Sequence, residues 1–202
     1  MTEKQYNPHD YPPFAVTVDV VILTMVKKTL KILLIQRGQG PFRDAWALPG
    51  GFVLPDEDLG DAALRELKEE TNISDDAIHL EQLGTYGSPE RDPRMRVVTV
   101  AYWAIVPNLD KPIGGGDARH AEVVPVAEIE SGRLRLAFDH EQILIDAIER
   151  MRSKMEYTNV ATNFFEDSFT VSEFRNVYEA AWDTELNPGN FQRKLQQSAD
   201  FL

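Results

Sequence analysis

Apolar and β-branched residues run almost unbroken through residues 15–26 (AVTVDVVILTMV). They resume at 30–36 (LKILLIQ) after the polar KKT, which predicts two adjacent strands. Residues 37–50 (RGQGPFRDAWALPG) read as a loop with one short apolar piece at Trp46–Leu48. From 57 to 71 (EDLGDAALRELKEET) the period turns helical, with Ala63, Leu64 and Leu67 on the face expected to pack onto the sheet. Strand-like runs at 78–86 and 97–106 flank a charged loop, SPERDPRMR. GGGDARH at 114–120 reads as a flexible connection, and AEVVPV as a short edge strand, because Pro125 cannot donate to a ladder.

The second half of the chain is helical in pattern. Asp139 is expected to cap a helix with Leu144, Ala147, Ile148, Met151 and Met155 on its apolar face, and Gln142 completes a capping box. Thr170 and Glu173 form a second box, opening a helix with Val171, Phe174, Val177, Tyr178 and Ala181 on one side. Asn187 and Pro188 start a third, carrying Phe191 and Leu195. The pattern predicts a mixed α/β domain over residues 1–152 and a small helical domain over 153–202.

Charge changes this picture. Asp and Glu outnumber Lys and Arg by 33 to 21, and the net charge of −12 repels nucleic acid and membrane surfaces unless a basic patch overrides it. An acidic protein that handles a polyanion needs a cation as intermediary. Cysteine is absent, which excludes disulfides, thiolate metal sites and thiol nucleophiles. The N-terminus lacks the basic-then-apolar order of a signal peptide, and the run at 15–26 is too short to span a bilayer and contains Asp19. A soluble cytoplasmic protein is expected.

At about 100° per residue, Glu66, Glu69 and Glu70 fall on one side of the 57–71 helix. Like charges four residues apart disfavour a helix, so helix stability does not ask for this cluster. Hard oxygen ligands converging from one face suit Mg2+, and Arg65 can orient a carboxylate beside it. A solvated acidic face is the alternative that the glutamates alone leave open.

The flanking spacing is more specific. From Gly51 it runs G-x5-E-x7-R-E-L-x-E-E-x-N-I, which resembles the Nudix box, with Asn72 where the box has Gly. A helix ending at Thr71 needs a left-handed residue next, and Asn is the usual substitute for Gly there. The resemblance covers about residues 14–152. It implies an α/β/α sandwich, Mg2+ or Mn2+ on Glu66, Glu69 and Glu70, and a Gly51 that lets the chain turn closely past the metal. Glu57, at the helix start, is either an outer ligand or a cap. Such a site hydrolyses a nucleoside diphosphate derivative, with one of the glutamates or an outlying Asp117 or Glu122 taking the proton of the attacking water.

FRDAWALPGGFV and SPERDPRMRVVTVAYWA resemble the surroundings of the box in Nudix ADP-ribose pyrophosphatases, which release AMP and ribose 5-phosphate. Arg37, Arg91, Arg94 and Arg96 are candidates for phosphate or sugar contacts, and Phe42 and Trp46 for base stacking. The helix-turn-helix order at 170–199 resembles the winged helix of Nudix-related transcriptional regulators that sense ADP-ribose, with Gln192, Arg193, Lys194 and Gln196 available to DNA. Against DNA binding, residues 140–202 hold six Lys/Arg and eleven Asp/Glu, and the sequence stops before a pair of strands that would form the wing. The family resemblance also implies a homodimer, to which the apolar N-terminal strand would contribute.

Overall fold

The unbroken apolar run becomes β1 (Ala15–Val26), which is buried on both faces. In the computed structural model, which describes residues 7–71, 73, 78–107, 109 and 118–197, its side chains alternate between two cores. Val18, Val20 and Ile22 pack with Ala62, Ala63 and Leu67 of α1 (Leu59–Thr71). Val21 and Leu23 pack with Ile143, Leu144, Ala147 and Ile148 of α3 (His140–Tyr157). Each fully buried aliphatic side chain contributes about 1.5–3 kcal/mol, so the two-sided burial of this strand is a main source of stability.

The sheet is mixed and seven-stranded. β2 (Thr29–Arg37), β3 (Trp46–Ala47), β4 (Gly50–Phe52), β5 (Glu81–Tyr86), β6 (Val97–Ile105) and β7 (Ala118–Pro125) complete it. β1 and β6 run parallel over their length, while the other pairings are antiparallel. β1 and β2 stay together only across Leu23–Val26, then part. The chain at 46–52 fills the wedge: β3 pairs with the end of β2, β4 pairs with Thr17–Asp19 of β1, and the Pro49 carbonyl accepts the Val20 N–H at 2.8 Å. This wedge carries Gly50 and Gly51 to the foot of α1.

Several local expectations are corrected. The helix begins at Leu59, with the Asp58 carboxylate accepting the Leu59 N–H, so Glu57 is not its cap. Leu64 is exposed and Ala62 takes its place against the sheet. β3 lies in the expected loop and β4 begins at its last residue, and residues 118–120 of the Gly-rich connection are strand, because β7 pairs with β2 along Lys31–Arg37. Pro125 ends β7 at the sheet edge and leads into the unpredicted helix α2 (Val126–Glu130). The Asp139–Gln142 capping box is absent: Asp139 sits at the N-cap, but its carboxylate is taken by Arg91, and Gln142 donates to Asp146. A charged, forked partner outcompetes a backbone N–H. Asn72 lies outside the described residues.

The boundary expected at residue 152 falls within α3, which runs on to Tyr157. α4 (Val171–Trp182) opens with the Thr170–Glu173 capping box, and Asn187 Oδ1 accepts the Asn190 N–H at the start of α5 (Pro188–Gln197). Phe174, Val177 and Ala181 are buried in the core that holds α3, whereas Val171, at the first turn, is exposed. Arg152 Nε donates to the Ala181 carbonyl at 2.6 Å and Tyr178 Oη to that of Met155 at 3.1 Å, joining α4 to α3. Among the described residues no strand follows β7, and no helix is long and apolar enough to cross a membrane.

Candidate functional site

The wedge opens into a cavity of about 380 Å3. Arg65, Glu66, Glu69 and Glu70 line it from the acidic face of α1; Gly50, Gly51, Leu48, Asp19 and His140 line its floor; Arg91, Asp92, Arg94 and Phe52 add to the lining. Arg37, Gly38, Gly40 and Phe138 close the remaining side.

The glutamates differ in environment. Glu69 is half exposed and, among the described residues, reaches only Arg65, at 3.4 Å. Glu66 is mostly buried, and its Oε1 accepts from Arg65 Nη1 at 2.8 Å. Burial raises its pKa more than Arg65 lowers it. Glu70 is buried, its Oε2 accepting the Gly50 N–H at 2.9 Å, and burial, with Glu66 adding to it, pushes its carboxyl up to about 8. Glu57 does the reverse: Arg65 forks onto both its oxygens at 2.7 and 2.9 Å, the Leu54 N–H adds a third bond, and its carboxyl is held near 2. Arg65 also donates to the Phe52 carbonyl at 3.1 Å, so one guanidinium ties α1 to the end of β4.

Both glycines are required. A Cβ on Gly51 would stand 2.2 Å from Glu66 Oε1, and one on Gly50, at φ +158°, would stand 2.2 Å from the Val18 carbonyl oxygen. Buried Glu70 and the mostly buried Glu66, both with raised pKa, form with the more exposed Glu69 a hard-oxygen donor set that Arg65 compensates only in part. This fits a divalent cation such as Mg2+ or Mn2+. As the side chains stand, no three acidic or histidine side chains converge on one point among the described residues. Glu66 is engaged by Arg65 and Glu70 by Gly50.

The four candidate arginines stand apart in role. Arg37 lines the cavity with its guanidinium 4.8 Å above the Phe138 ring, and among the described residues it pairs with no carboxylate. Burial and the nearby Arg94 lower its pKa. Arg94 forks onto Asp92 and lies 5.1 Å over Phe52. Arg91 is buried and spent on Asp139 and Asp19. Arg96 lies over Phe14, outside the cavity. Phe42 and Trp46 do not line it either; Phe42 packs edge-on against Phe138 at 4.8 Å, and Phe138 takes the wall position at φ +55°. Glu122 is exposed on β7 beside His120, away from the cavity, and Asp117 lies outside the described residues. Gln192, Arg193, Lys194 and Gln196 are exposed on α5. Sequence reasoning missed Asp92, Phe138 and His140; Asp19, the lone acid in an apolar strand, was the available signal for the floor.

With this geometry in view, the comparisons with known proteins are specific. The model of the NUDIX domain matches residues 13–147. The ADPR responsive transcriptional repressor NtrR of Acinetobacter baylyi is 37% identical over 196 residues, covering 96% of this chain and 77% of that protein. The ADP-ribose pyrophosphatase of Methanocaldococcus jannaschii is 40% identical over 143 residues, 71% of this chain and 77% of its own. Among solved structures, Shewanella oneidensis NrtR complexed with a 27mer DNA superposes with a TM-score of 0.74 at 32% identity, covering 91% of this chain and 83% of that one.

Proposed function

The chain belongs to the Nudix family, and from that premise we propose that it is a divalent-metal-dependent hydrolase of ADP-ribose, releasing AMP and ribose 5-phosphate. One observation carries the reading: the carboxylates of α1 line a single cavity together with Arg37, which pairs with no carboxylate among the described residues, and the partly exposed Arg94. Glu66, Glu69 and Glu70 would hold Mg2+ or Mn2+. Such an ion, when bound, lowers the pKa of a water and neutralises charge on the phosphoryl oxygens. Arg37 and Arg94 bind the diphosphate and sugar, and the Phe52 and Phe138 rings beneath them hold their guanidinium planes in place. Arg65 orients Glu66 and Glu69. Glu69, the most exposed of the three, takes the proton of the attacking water at its carboxylate. Incubation with Mg2+ and ADP-ribose then yields AMP, and Glu69→Gln and Glu70→Gln abolish the product. No turnover, or turnover unaffected by both substitutions, overturns the reading.

A second role is favoured by the C-terminal helices: an ADP-ribose-responsive DNA-binding regulator, in which the same cavity senses the ligand. What supports it is likeness to a repressor over 96% of this chain, together with exposed Gln192, Arg193 and Lys194 on α5. The roles are compatible. A low-salt gel shift on upstream DNA, with and without ADP-ribose, decides the second one; absence of any shift removes it. The homodimer belongs to both roles, and exposed Tyr11, Phe14 and Val16 at the N-terminal strand are its proposed surface.

A further inference from the structure

Asp19, Arg91 and His140, which line the cavity beside the carboxylates, join Asp139 in a charge network that the proposed hydrolysis leaves without a task. Arg91 Nη2 and Nε fork onto Asp139 at 2.7 and 3.0 Å, and Nη2 reaches Asp19 Oδ2 at 3.3 Å. Asp19 Oδ1 is in turn 3.4 Å from His140 Nε2. His140 Nδ1 accepts the Leu48 N–H at 2.9 Å, so its proton sits on Nε2, facing Asp19. The four residues come from β1, the 88–94 loop and the first turn of α3, and Arg91, Asp19 and His140 are all buried.

This arrangement is costly by local rules. Asp139 stands at the N-cap of α3 and gives its carboxylate to Arg91 instead of a backbone N–H. A buried ion pair gains little over well-packed apolar residues, so the network's value lies in where it holds things. It holds two elements of the cavity. Arg91 anchors the loop that presents Asp92 and Arg94, which is further braced by the Arg94 N–H on Asp92 Oδ1. His140 anchors Leu48, two residues before Gly50, whose N–H meets Glu70; Asp19 packs against Gly50 so closely that a Cβ there would fall 2.8 Å from its Oδ1.

We infer that Arg91, Asp139, Asp19 and His140 are positioning residues that fasten the arginine-bearing loop and the Leu48–Gly51 turn to the first turn of α3, and so set the span between the ligand's anionic contacts and the carboxylate helix. The inference rests on the reading of the cavity as a nucleotide-sugar site. It assigns Arg91 to the scaffold, and leaves the anion contacts to Arg37 and Arg94.

Asp139→Asn is the decisive variant, because it keeps the side chain's shape, removes the charged fork on Arg91 and has no backbone cap bond to lose. The full-length protein is assayed for Mg2+-dependent ADP-ribose hydrolysis and, in parallel, for amide hydrogen exchange. Expected for Asp139→Asn are a KM for ADP-ribose raised about tenfold with kcat nearly unchanged and faster exchange centred on residues 88–94, together with a lowered melting temperature, because buried Arg91 loses its main counter-charge. His140→Leu lowers kcat and speeds exchange at Leu48 and Gly50, whereas His140→Gln, which keeps an acceptor for the Leu48 N–H, restores part of both. Unaltered KM and exchange in Asp139→Asn overturn the inference. Wild-type protein that turns over no ADP-ribose sinks the hydrolase reading alone, and the exchange data still decide the positioning role.

Discussion

Replacing Glu70 by Gln isolates the electrostatic strain at the foot of α1. Burial lifts this carboxyl from 4.5 to about 8, with the nearby Glu66 adding to the effect. A carboxyl whose folded-state pKa is raised supports the fold while protonated. Its contribution is complete below pH 4.5 and is lost as pH rises towards 8. With each tenfold change in ionisation constant equal to about 1.4 kcal/mol, the metal-free wild type loses about 3 kcal/mol between pH 5 and pH 8 relative to Glu70→Gln. The amide oxygen of Gln still accepts the Gly50 N–H, and titrations remote from Glu70 are common to both proteins. At about 2–4 °C per kcal/mol for a chain of this length, the variant's melting temperature gains about 6–12 °C on the wild type across that range. Differential scanning fluorimetry in EDTA at stepped pH measures this. Adding Mg2+ at pH 8 then raises the wild type and leaves Glu70→Gln unmoved, because the ion takes up the charge that burial opposes. A difference between the two proteins that stays flat with pH, or shrinks, refutes the reasoning.

Three further outcomes are expected. Gly51→Ala places a methyl 2.2 Å from Glu66 Oε1 and displaces that carboxylate, so ADP-ribose turnover falls about a hundredfold in steady-state assays. Arg65→Lys keeps the charge but loses the planar fork on Glu57, lowering kcat about tenfold or more while far-ultraviolet circular dichroism stays native. Thr170→Ala removes the cap of α4, where Thr170 Oγ1 accepts the Glu173 N–H at 3.2 Å, and costs about 1 kcal/mol in chemical denaturation with hydrolysis unchanged.

The parts legible in the sequence are those specified by local periodicity and fixed spacing. β1 announces burial on both faces by its continuous apolar run, and the spacing from Gly51 to Glu70 places the acidic face on α1. The Thr170–Glu173 box is a local rule with no competitor, and it forms. The Asp139–Gln142 box obeys the same rule and fails, because Arg91, 48 positions away, claims the carboxylate. His140 meets the Leu48 N–H across 92 positions, and no window along the chain contains both. β3 and β4 are two and three residues long, too short to show a period, yet they turn Gly50 and Gly51 into the cavity floor. Phe138, unlike Phe42 and Trp46, carries no local signal, because its wall position depends on a left-handed backbone at the entrance to α3.

On the proposed function, α1 is a divalent-metal site serving a diphosphate ligand. Titration with Mn2+ at pH 8, followed by loss of the free-ion electron paramagnetic resonance signal, tests it directly. The wild type is expected to withdraw Mn2+ from solution, ADP-ribose to tighten that uptake, and Glu66→Gln and Glu70→Gln to abolish it. Equal free Mn2+ in the presence of wild type and both variants would contradict the account.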